Sequence, residues 1–379
     1  MRYCKKCVMP DTKPFIEFDK DGVCSGCRAH EKKQKYQEGI DWQKRKEEFE
    51  NLIEQTLARK APFYDVLVPV SGGKDSIYQV SKAIEYNLRV LAVNVDYGIK
   101  TEIGANNLNL IPKMGATLIT LRPEQKYHNM MIRIGFEDFG DPDLMSHTLL
   151  YSFPLWTAVR FSIPLVFEGE NSAFEYGGDS ISGQKSQIDR DWFYKYVVTK
   201  GITTGYMAEN YNIPLEVLKI YDFPEEELVS QNIRAVFLSH YFNWDSQRNL
   251  EVAKKYGFRT LSGPREGTFR NYVGIDEKIN RIHQYMKVLK FGYGRASDHA
   301  CEEIRRRRMS RDEAVKLVEE YDTQGLSDYY VDDFCRLLGY SKEEFWNIIK
   351  RHCNENICSI GEGGRINIKR NENFMEEYK

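Results

Sequence analysis

The sequence predicts an α/β protein built on a parallel sheet, with a cysteine-rich metal-binding module before the sheet and a mainly helical region after it. Three observations support this fold class. Two CxxC pairs lie in the first 30 residues, apolar runs alternate with amphipathic stretches after Pro62, and helical, aromatic-rich sequence begins at about Ile202. Such alternation of strands and helices is typical of parallel sheets with crossover helices.

We therefore predict four parts along the chain of 379 residues: a zinc ribbon at 1–30, a linker helix at 31–60, the α/β domain at 61–240, and a helical, aromatic-rich region at 241–379. We expect this last region to complete the binding pocket for the acceptor substrate and to contact a partner. This length is sufficient for one large domain or two of ordinary size. Lys plus Arg total 54 against 56 Asp plus Glu, a net charge of -2. Because no overall positive field attracts nucleic acid or anionic membranes, any anion site must be local.

The first cysteines have the spacing of a tetrahedral metal site. Cys4 and Cys7 form one CxxC pair, Cys24 and Cys27 form the second, and sixteen residues separate the pairs. This spacing matches a zinc ribbon. Four thiolates leave no open coordination position, so we expect a structural Zn²⁺ that stabilises a segment too short to form a core. An iron–sulfur cluster or a redox role is the alternative interpretation. Four later cysteines are predicted to be ordinary buried thiols: Cys301, Cys335, Cys353 and Cys358.

The linker helix is predicted from apolar residues at helical spacing, namely Trp42, Phe49, Ile53 and Leu57. Four apolar runs then predict buried strands: DVLVPVS, RVLAVNVD, ATLITL and PLVFEGE. Helical periodicity fills the first two intervals, in KDSIYQVSKAIEYN and EIGANNLNLIPKMG. Ligands of such sheets bind at the carboxyl ends of the strands. Farther along, Ser341 and Glu344 predict a capping box at a helix start.

The segment SGGKDS, residues 71–76, joins the first predicted strand to the first predicted helix of the α/β domain. It is not a Walker motif, because Val68 stands where the first glycine belongs and Asp75 follows Lys74. The two glycines allow close backbone approach, while the helix amino end and Lys74 favour an anion. Asp75 would repel phosphate directly, which suggests a bridging Mg²⁺. An ordinary strand-to-helix turn is the alternative interpretation.

The SGGKDS segment resembles the signature of the PP-loop ATP pyrophosphatase superfamily. In that superfamily the loop holds the β,γ-pyrophosphate, and ATP is cleaved between the α and β phosphates to adenylate an oxygen of the substrate. The resemblance implies catalytic roles for Ser71, Lys74 and Asp75. It implies nucleotide binding by Ser71, Gly72, Gly73, Lys74, Asp75, Ser76 and Asp96. Asp96 ends the second strand, so adenosine contact and strand-end capping both remain open for it.

The distribution of cysteines limits which nucleophile can attack the adenylated substrate. Sulfur transfer normally requires cysteines beside the loop, whereas this chain has none from Arg28 to Ala300. Ammonia is therefore the favoured nucleophile. The opening residues, FEGEN, GPREGTFRNYVGIDEKI and KFGYGRASDHACEEIRRRRMSRDEA resemble the N-acetyl sugar amidotransferases of bacterial O-antigen and flagellar glycan biosynthesis, from residue 1 to about residue 350.

That resemblance implies conversion of an acetamido group on a nucleotide-activated sugar into an acetamidino group, with ATP activating the amide oxygen. It also implies that ammonia comes from a separate glutaminase subunit through a cyclase-like partner. The sequence agrees, since it contains no glutaminase-like nucleophile elbow and no processed N-terminal cysteine.

Three segments are expected to contact the acceptor sugar. Glu168, Glu170 and Asn171 of FEGEN are expected to bind a metal or orient the substrate, unless they cap the next helix, and Glu175 is a weaker candidate. HYFNWD combines His240 with aromatic rings that suit a sugar face, although an aromatic core segment explains it equally well.

The third segment, GPREGTFRN, offers two arginines on a glycine-punctuated loop. Arg265 and Arg270 are expected to grip the diphosphate of a nucleotide-sugar. Five arginines follow between Arg305 and Arg311, and we leave open whether they are solvated, pair with acids, or dock RNA or a partner subunit.

The expected location is the cytoplasm, because the apolar runs are too short to span a bilayer and the first residues lack a signal-peptide pattern. A tRNA-modifying PP-loop enzyme is the rival enzymatic interpretation and predicts salt-sensitive RNA binding. A zinc-ribbon adaptor with an inactive nucleotide site is the non-enzymatic rival.

Overall fold

The computed structural model describes residues 1–173, 180–198, 201–371 and 374. The chain forms two compact units. Unit 1 comprises residues 1–39, 133–142 and 261–379, and unit 2 comprises residues 40–132 and 143–260. The four-part division made from motifs along the chain stays a prediction.

Unit 2 contains a parallel five-stranded sheet in the order β3-β2-β1-β4-β5. Its strands are β1 (Val66–Pro69), β2 (Val90–Val95), β3 (Thr117–Leu121), β4 (Leu165–Glu168) and β5 (Arg234–Phe237). The first four are the strands predicted from the apolar runs, so the mixed α/β class with a parallel sheet is confirmed. The expectation of mostly helical sequence after Ile202 missed β5, because its four residues run directly into a short helix and show no periodicity of their own.

The helices of the described residues follow in chain order: α1 (Ser25–Glu38), α2 (Trp42–Ala58), α3 (Lys74–Glu85), α4 (Glu102–Leu108), α5 (Leu110–Lys113), α6 (Gln125–Phe139), α7 (Leu144–Phe161), α8 (Ser180–Gln184), α9 (Arg190–Tyr196), α10 (Thr204–Tyr211), α11 (Leu215–Leu218), α12 (Glu225–Ser230), α13 (Leu238–Tyr241), α14 (Ser246–Lys255), α15 (Ile279–Phe291), α16 (Arg295–Arg305), α17 (Arg311–Tyr321), α18 (Asp328–Leu338) and α19 (Lys342–Arg351). None of them combines the length and apolar character needed to cross a bilayer. The predicted capping box at the start of α19 is confirmed, and α17 has a second one.

The predicted linker region forms parts of two helices, α1 and α2, rather than one. Asp41 is the N-cap of α2: its side chain accepts a hydrogen bond from the backbone amide of Lys44, so the helix begins at Trp42. The helix buries Phe49, Leu52, Ile53 and Thr56, as its apolar spacing requires. Leu57, which the spacing placed on the same face, is 44% exposed.

The sheet of unit 2 is covered on both faces, which explains why β1, β2 and β4 are almost continuously apolar. One face packs Leu67, Val166 and Phe237 against buried residues of α7 and α9. On α2, the Phe49 ring lies 5.6 Å from the Phe167 ring. This packing holds the carboxyl ends of the strands in a common edge.

Unit 1 joins the N-terminal segment to the later helices. Its core contains all four cysteines of the two CxxC pairs, packed with Ala300 and Cys301 of α16 and with Val315 of α17. Two short antiparallel strands, β6 (Cys358–Ile360) and β7 (Ile366–Ile368), also lie in this unit. The expectation of a mainly helical C-terminal region did not include them, since three-residue strands are too short to show a period in sequence.

Candidate functional site

The SGGKDS loop connects the carboxyl end of β1 to the amino end of α3. Gly72 has a φ of +95°, and a Cβ at this position would lie 2.6 Å from the carbonyl oxygen of Gly104, so a side chain is excluded. Gly73 is the N-cap of α3. The first amides of an α-helix have no partners within the helix, and the helix dipole makes this end positive. The arrangement suits a bound anion.

Two serine hydroxyls set the curvature of this loop. The backbone amide of Ser71 donates to Oγ of Ser76 at 3.0 Å, and the amide of Gly73 donates to Oγ of Ser71 at 3.2 Å. These bonds are made within the loop itself. Its shape is therefore set before a ligand binds.

Lys74 and Asp75 form an ion pair at the start of α3. The buried Lys74 ammonium group contacts Oδ2 of Asp75, while Nδ2 of Asn249 on α14 donates to Oδ1 of the same carboxylate at 2.8 Å. Oδ1 of Asn249 is buried without a hydrogen-bond partner in the described residues. Carboxylate and amide oxygens are the ligand types that Mg²⁺ takes in proteins. Sequence reasoning missed Asn249, because it lies 174 residues from Asp75 and belongs to no motif.

Glu168 is the last residue of β4 and is only 7% exposed. Leu67 pairs with Val166 in the parallel register, so Glu168 lies across from Pro69, where β1 enters the SGGKDS loop. Within the described residues its Oε1 has no hydrogen-bond partner. Burial, together with the negative charge of Glu170, raises the pKa of Glu168 to about 8. A buried carboxyl with a raised pKa at a ligand-binding edge is typical of functional residues.

The cysteine cluster, defined as Cys4, Cys7, Cys24 and Cys27, has the geometry of a metal site. All four are buried, and their sulfur atoms lie within 4.8 Å of one another. The Cys4–Cys27 and Cys7–Cys24 sulfur distances are 3.9 and 3.7 Å. A tetrahedron with Zn–S bonds of about 2.3 Å has edges of about 3.8 Å. The predicted four-thiol group is therefore confirmed, and it is suited to hold a metal such as zinc.

The comparison with known families concerns the later part of the chain. Residues 266–358 match the family model described as "LPS biosynthesis protein WbpG-like, C-terminal domain". No curated protein matches the chain. The match points to lipopolysaccharide biosynthesis, in agreement with the resemblance to O-antigen proteins.

Asp96 follows β2 and is bound to protein groups. Its Oδ1 accepts from the amide of Gly98 at 2.9 Å, and its Oδ2 pairs with Nη2 of Arg122 at 2.9 Å. These contacts are those of a strand-end cap. Contact with adenosine stays a prediction. Arg122 is a second residue that sequence reasoning missed, because its link to Asp96 depends on the pairing of β2 with β3.

Asn171 has its amide group fully engaged. Its Nδ2 donates to the carbonyl oxygen of Ser182 at 2.8 Å, and its Oδ1 accepts from Nε1 of Trp192 at 3.1 Å. The contacts give Asn171 a structural role in holding the segment after residue 180, while substrate binding stays a prediction. Glu170 is half-buried. Glu175 lies outside the described residues.

His240 lies on α13 and contacts the guanidinium group of Arg45 on α2. Burial, together with the positive charge of Arg45, lowers the pKa of His240 to about 4. The neighbouring Tyr241 ring lies 5.1 Å from that of Phe49. These contacts agree with the aromatic-core interpretation of HYFNWD, and contact with a sugar stays a prediction.

Arg265 and Arg270 belong to unit 1 and have different surroundings. Arg270 is paired through Nη1 with Glu302 at 2.8 Å and through Nη2 with Glu303, so both ends of its guanidinium group are occupied. Arg265 is buried, and its Nη1 donates to Oδ1 of Asn280 at 3.2 Å. It lines a cavity of about 480 Å³ together with Pro264, Glu266, Tyr321, Gln324, Gly325, Leu326, Ser327 and Gly363. Diphosphate binding by either arginine stays a prediction.

Several arginines of the run between Arg305 and Arg311 make contacts within unit 1. Arg306 pairs with Glu302 at 3.4 Å, and Arg308 pairs with Glu303 at 2.7 Å. Arg311 donates to the carbonyl oxygen of Phe374 at 3.1 Å. These contacts agree with the interpretation that the run pairs with neighbouring groups.

Proposed function

We propose that this chain is an ATP-dependent amidotransferase of lipopolysaccharide biosynthesis. It would convert an acetamido group of a nucleotide-activated sugar into an acetamidino group and release AMP and pyrophosphate. The supporting observation is the SGGKDS loop at the carboxyl edge of a parallel sheet, in a chain whose residues 266–358 match a lipopolysaccharide biosynthesis domain.

The loop residues would bind the phosphates of ATP. Backbone amides at the start of α3 and the ammonium group of Lys74 donate to the β and γ phosphates, which stabilises negative charge as pyrophosphate departs. Asp75 would hold Mg²⁺ together with Oδ1 of Asn249, which has no partner among the described residues. When bound, this ion would neutralise phosphate charge and release Lys74 from its pairing with Asp75.

The proposed reaction has two steps, adenylation of the amide and displacement of AMP by ammonia. The amide oxygen of the acetamido group attacks the α phosphorus, which gives an O-adenylated imidate and pyrophosphate. Ammonia then adds to the imidate carbon, and the carbon–oxygen bond breaks to release AMP and leave the amidine. Adenylation is needed because an amide oxygen is otherwise a poor leaving group.

Glu168 is suited to accept the proton that the added nitrogen must lose. It lies on the strand next to β1, its Oε1 lacks a partner in the described part of the chain, and its pKa is raised to about 8. General bases are most effective when their pKa lies close to the operating pH. Glu168 would thus act after the SGGKDS loop has activated the substrate.

Ammonia would come from a glutaminase subunit, delivered through a cyclase-like partner. Free ammonium at high concentration should replace this supply. That property allows the chain to be tested without its partners.

The test combines purified protein, ATP, Mg²⁺ and ammonium with a panel of UDP-N-acetyl sugars. We expect sugar-dependent release of AMP and a product in which NH replaces the acetamido oxygen, detected by mass spectrometry. A parallel reaction with tRNA tests the rival activity. Formation of ADP, or AMP release with tRNA in the absence of sugar, would overturn the proposal.

A further inference from the structure

The last residue of α16, Arg305, lies against the second CxxC pair. A Cβ placed on Gly26 would be 2.6 Å from Nη2 of Arg305 and 3.2 Å from its Cζ. Gly26 stands between Cys24 and Cys27 and is absent from the residues with positive φ. The space that a side chain at position 26 would take is therefore filled by the guanidinium group, and the backbone conformation does not demand a glycine there.

The surroundings of Arg305 are sulfur-rich. Four sulfur atoms neighbour its guanidinium group. These atoms belong to Cys7, Cys301, Cys27 and Cys24. The Nε of Arg305 is buried and has no hydrogen-bond partner within the described ranges. Arg305 thus differs from Arg306 and Arg308, which pair with glutamates.

A metal held by the cysteine cluster would create a charge imbalance in the core of unit 1. A divalent ion with four thiolates carries a net charge of two negative units, and the cluster is buried. Burial of unbalanced charge is unfavourable unless a partner of opposite sign lies nearby. A guanidinium group in this position offsets half of the excess charge and can donate N–H groups to sulfur.

We infer that Arg305 is a positioning residue of the N-terminal metal site, whose guanidinium group packs against the second CxxC pair and stabilises the thiolate ligands. The inference assigns a role to one of the five arginines between Arg305 and Arg311. The outer partners of metal ligands commonly contribute 10- to 100-fold in metal affinity. The inference concerns the metal site alone and does not depend on the amidotransferase proposal.

The main test measures Zn²⁺ affinity by chelator competition in the full chain. Arg305→Met, which retains length but removes the charge, should bind Zn²⁺ about 10- to 100-fold more weakly. Arg305→Lys should restore part of the affinity, because it returns the charge without the planar donor group. Arg307→Met is the matched control, since Arg307 is an exposed residue of the same run. Its affinity should equal that of the unmodified chain.

A spectroscopic readout separates metal tuning from a purely structural role. In protein loaded with Co²⁺, the thiolate-to-cobalt charge-transfer band should shift in Arg305→Met and stay unchanged in Arg307→Met. Unchanged affinity and an unchanged band in Arg305→Met would overturn the inference. Equal loss of thermal stability in the metal-loaded and metal-free forms, with the band unchanged, would also overturn it.

Gly26→Ala provides a test that leaves Arg305 in the sequence. The added methyl group would meet the end of a flexible side chain, so the fold should adjust by moving the guanidinium group away. We expect weaker Zn²⁺ binding and a band shift in the same direction as for Arg305→Met. If Arg305→Met does not fold, this variant decides the question, and unchanged affinity in Gly26→Ala would refute the inference.

Discussion

Replacement of Glu168 by glutamine should change how the stability of unit 2 depends on pH. The pKa of Glu168 rises from an ordinary value of 4.5 to about 8, because burial disfavours the carboxylate and Glu170 adds negative charge. Between these two values the unfolded chain has lost a proton that the folded chain keeps. The free energy of unfolding therefore falls as pH rises through this window, and the loss is complete above the folded pKa.

The magnitude follows from the size of the shift. Each pKa unit corresponds to about 1.4 kcal/mol, so a shift of about 3.5 units gives an upper limit of about 5 kcal/mol. Glutamine has no proton to lose and keeps a similar shape. We expect Glu168→Gln to gain several kcal/mol relative to the unmodified protein between about pH 5 and about pH 8.

The assay is urea unfolding across this pH range, followed by the fluorescence of buried tryptophans such as Trp192 of unit 2. Glu54→Gln serves as the control, because Glu54 is exposed on α2. The free energy of unfolding of Glu54→Gln should differ from that of the unmodified protein by the same amount at every pH. A pH-independent difference for Glu168→Gln would refute the reasoning, since it would mean that Glu168 is already ionised in the folded chain.

Four further predictions concern the loop, the cysteine cluster and unit 1. Lys74→Ala should abolish AMP release but retain one Zn²⁺ per chain by metal analysis; loss of both would indicate fold damage. Arg270→Met should lower the free energy of unfolding by about 3 kcal/mol in a denaturant titration, because the buried carboxylate of Glu303 loses a partner. Ser310→Ala should cost about 1 kcal/mol by the same measurement, through loss of the capping box. Metal chelation should make the four clustered cysteines react faster with a thiol reagent, and unchanged rates would contradict metal protection.

The features predicted correctly from sequence are those encoded over short distances. Four apolar runs identified β1 to β4, and their alternation with helical segments identified the parallel sheet. The two CxxC pairs identified the cysteine cluster, and Ser341 with Glu344 identified the start of α19. In each case a few neighbouring residues contain the whole pattern, because strand period, knuckle spacing and helix capping are local properties.

The sequence by itself therefore determined the α/β class, the SGGKDS loop between β1 and α3, and the four thiols of the metal site. Only the tertiary structure decided which distant groups meet: Asn249 at Asp75, the two glutamates at Arg270, and Arg305 at the second CxxC pair. It also decided that Glu168 is buried and that its Oε1 has no hydrogen-bond partner among the residues the structure describes. The physical reason is that burial and charge pairing depend on how segments distant in sequence pack together. The residues next to a position in the sequence do not indicate which distant segment packs against it.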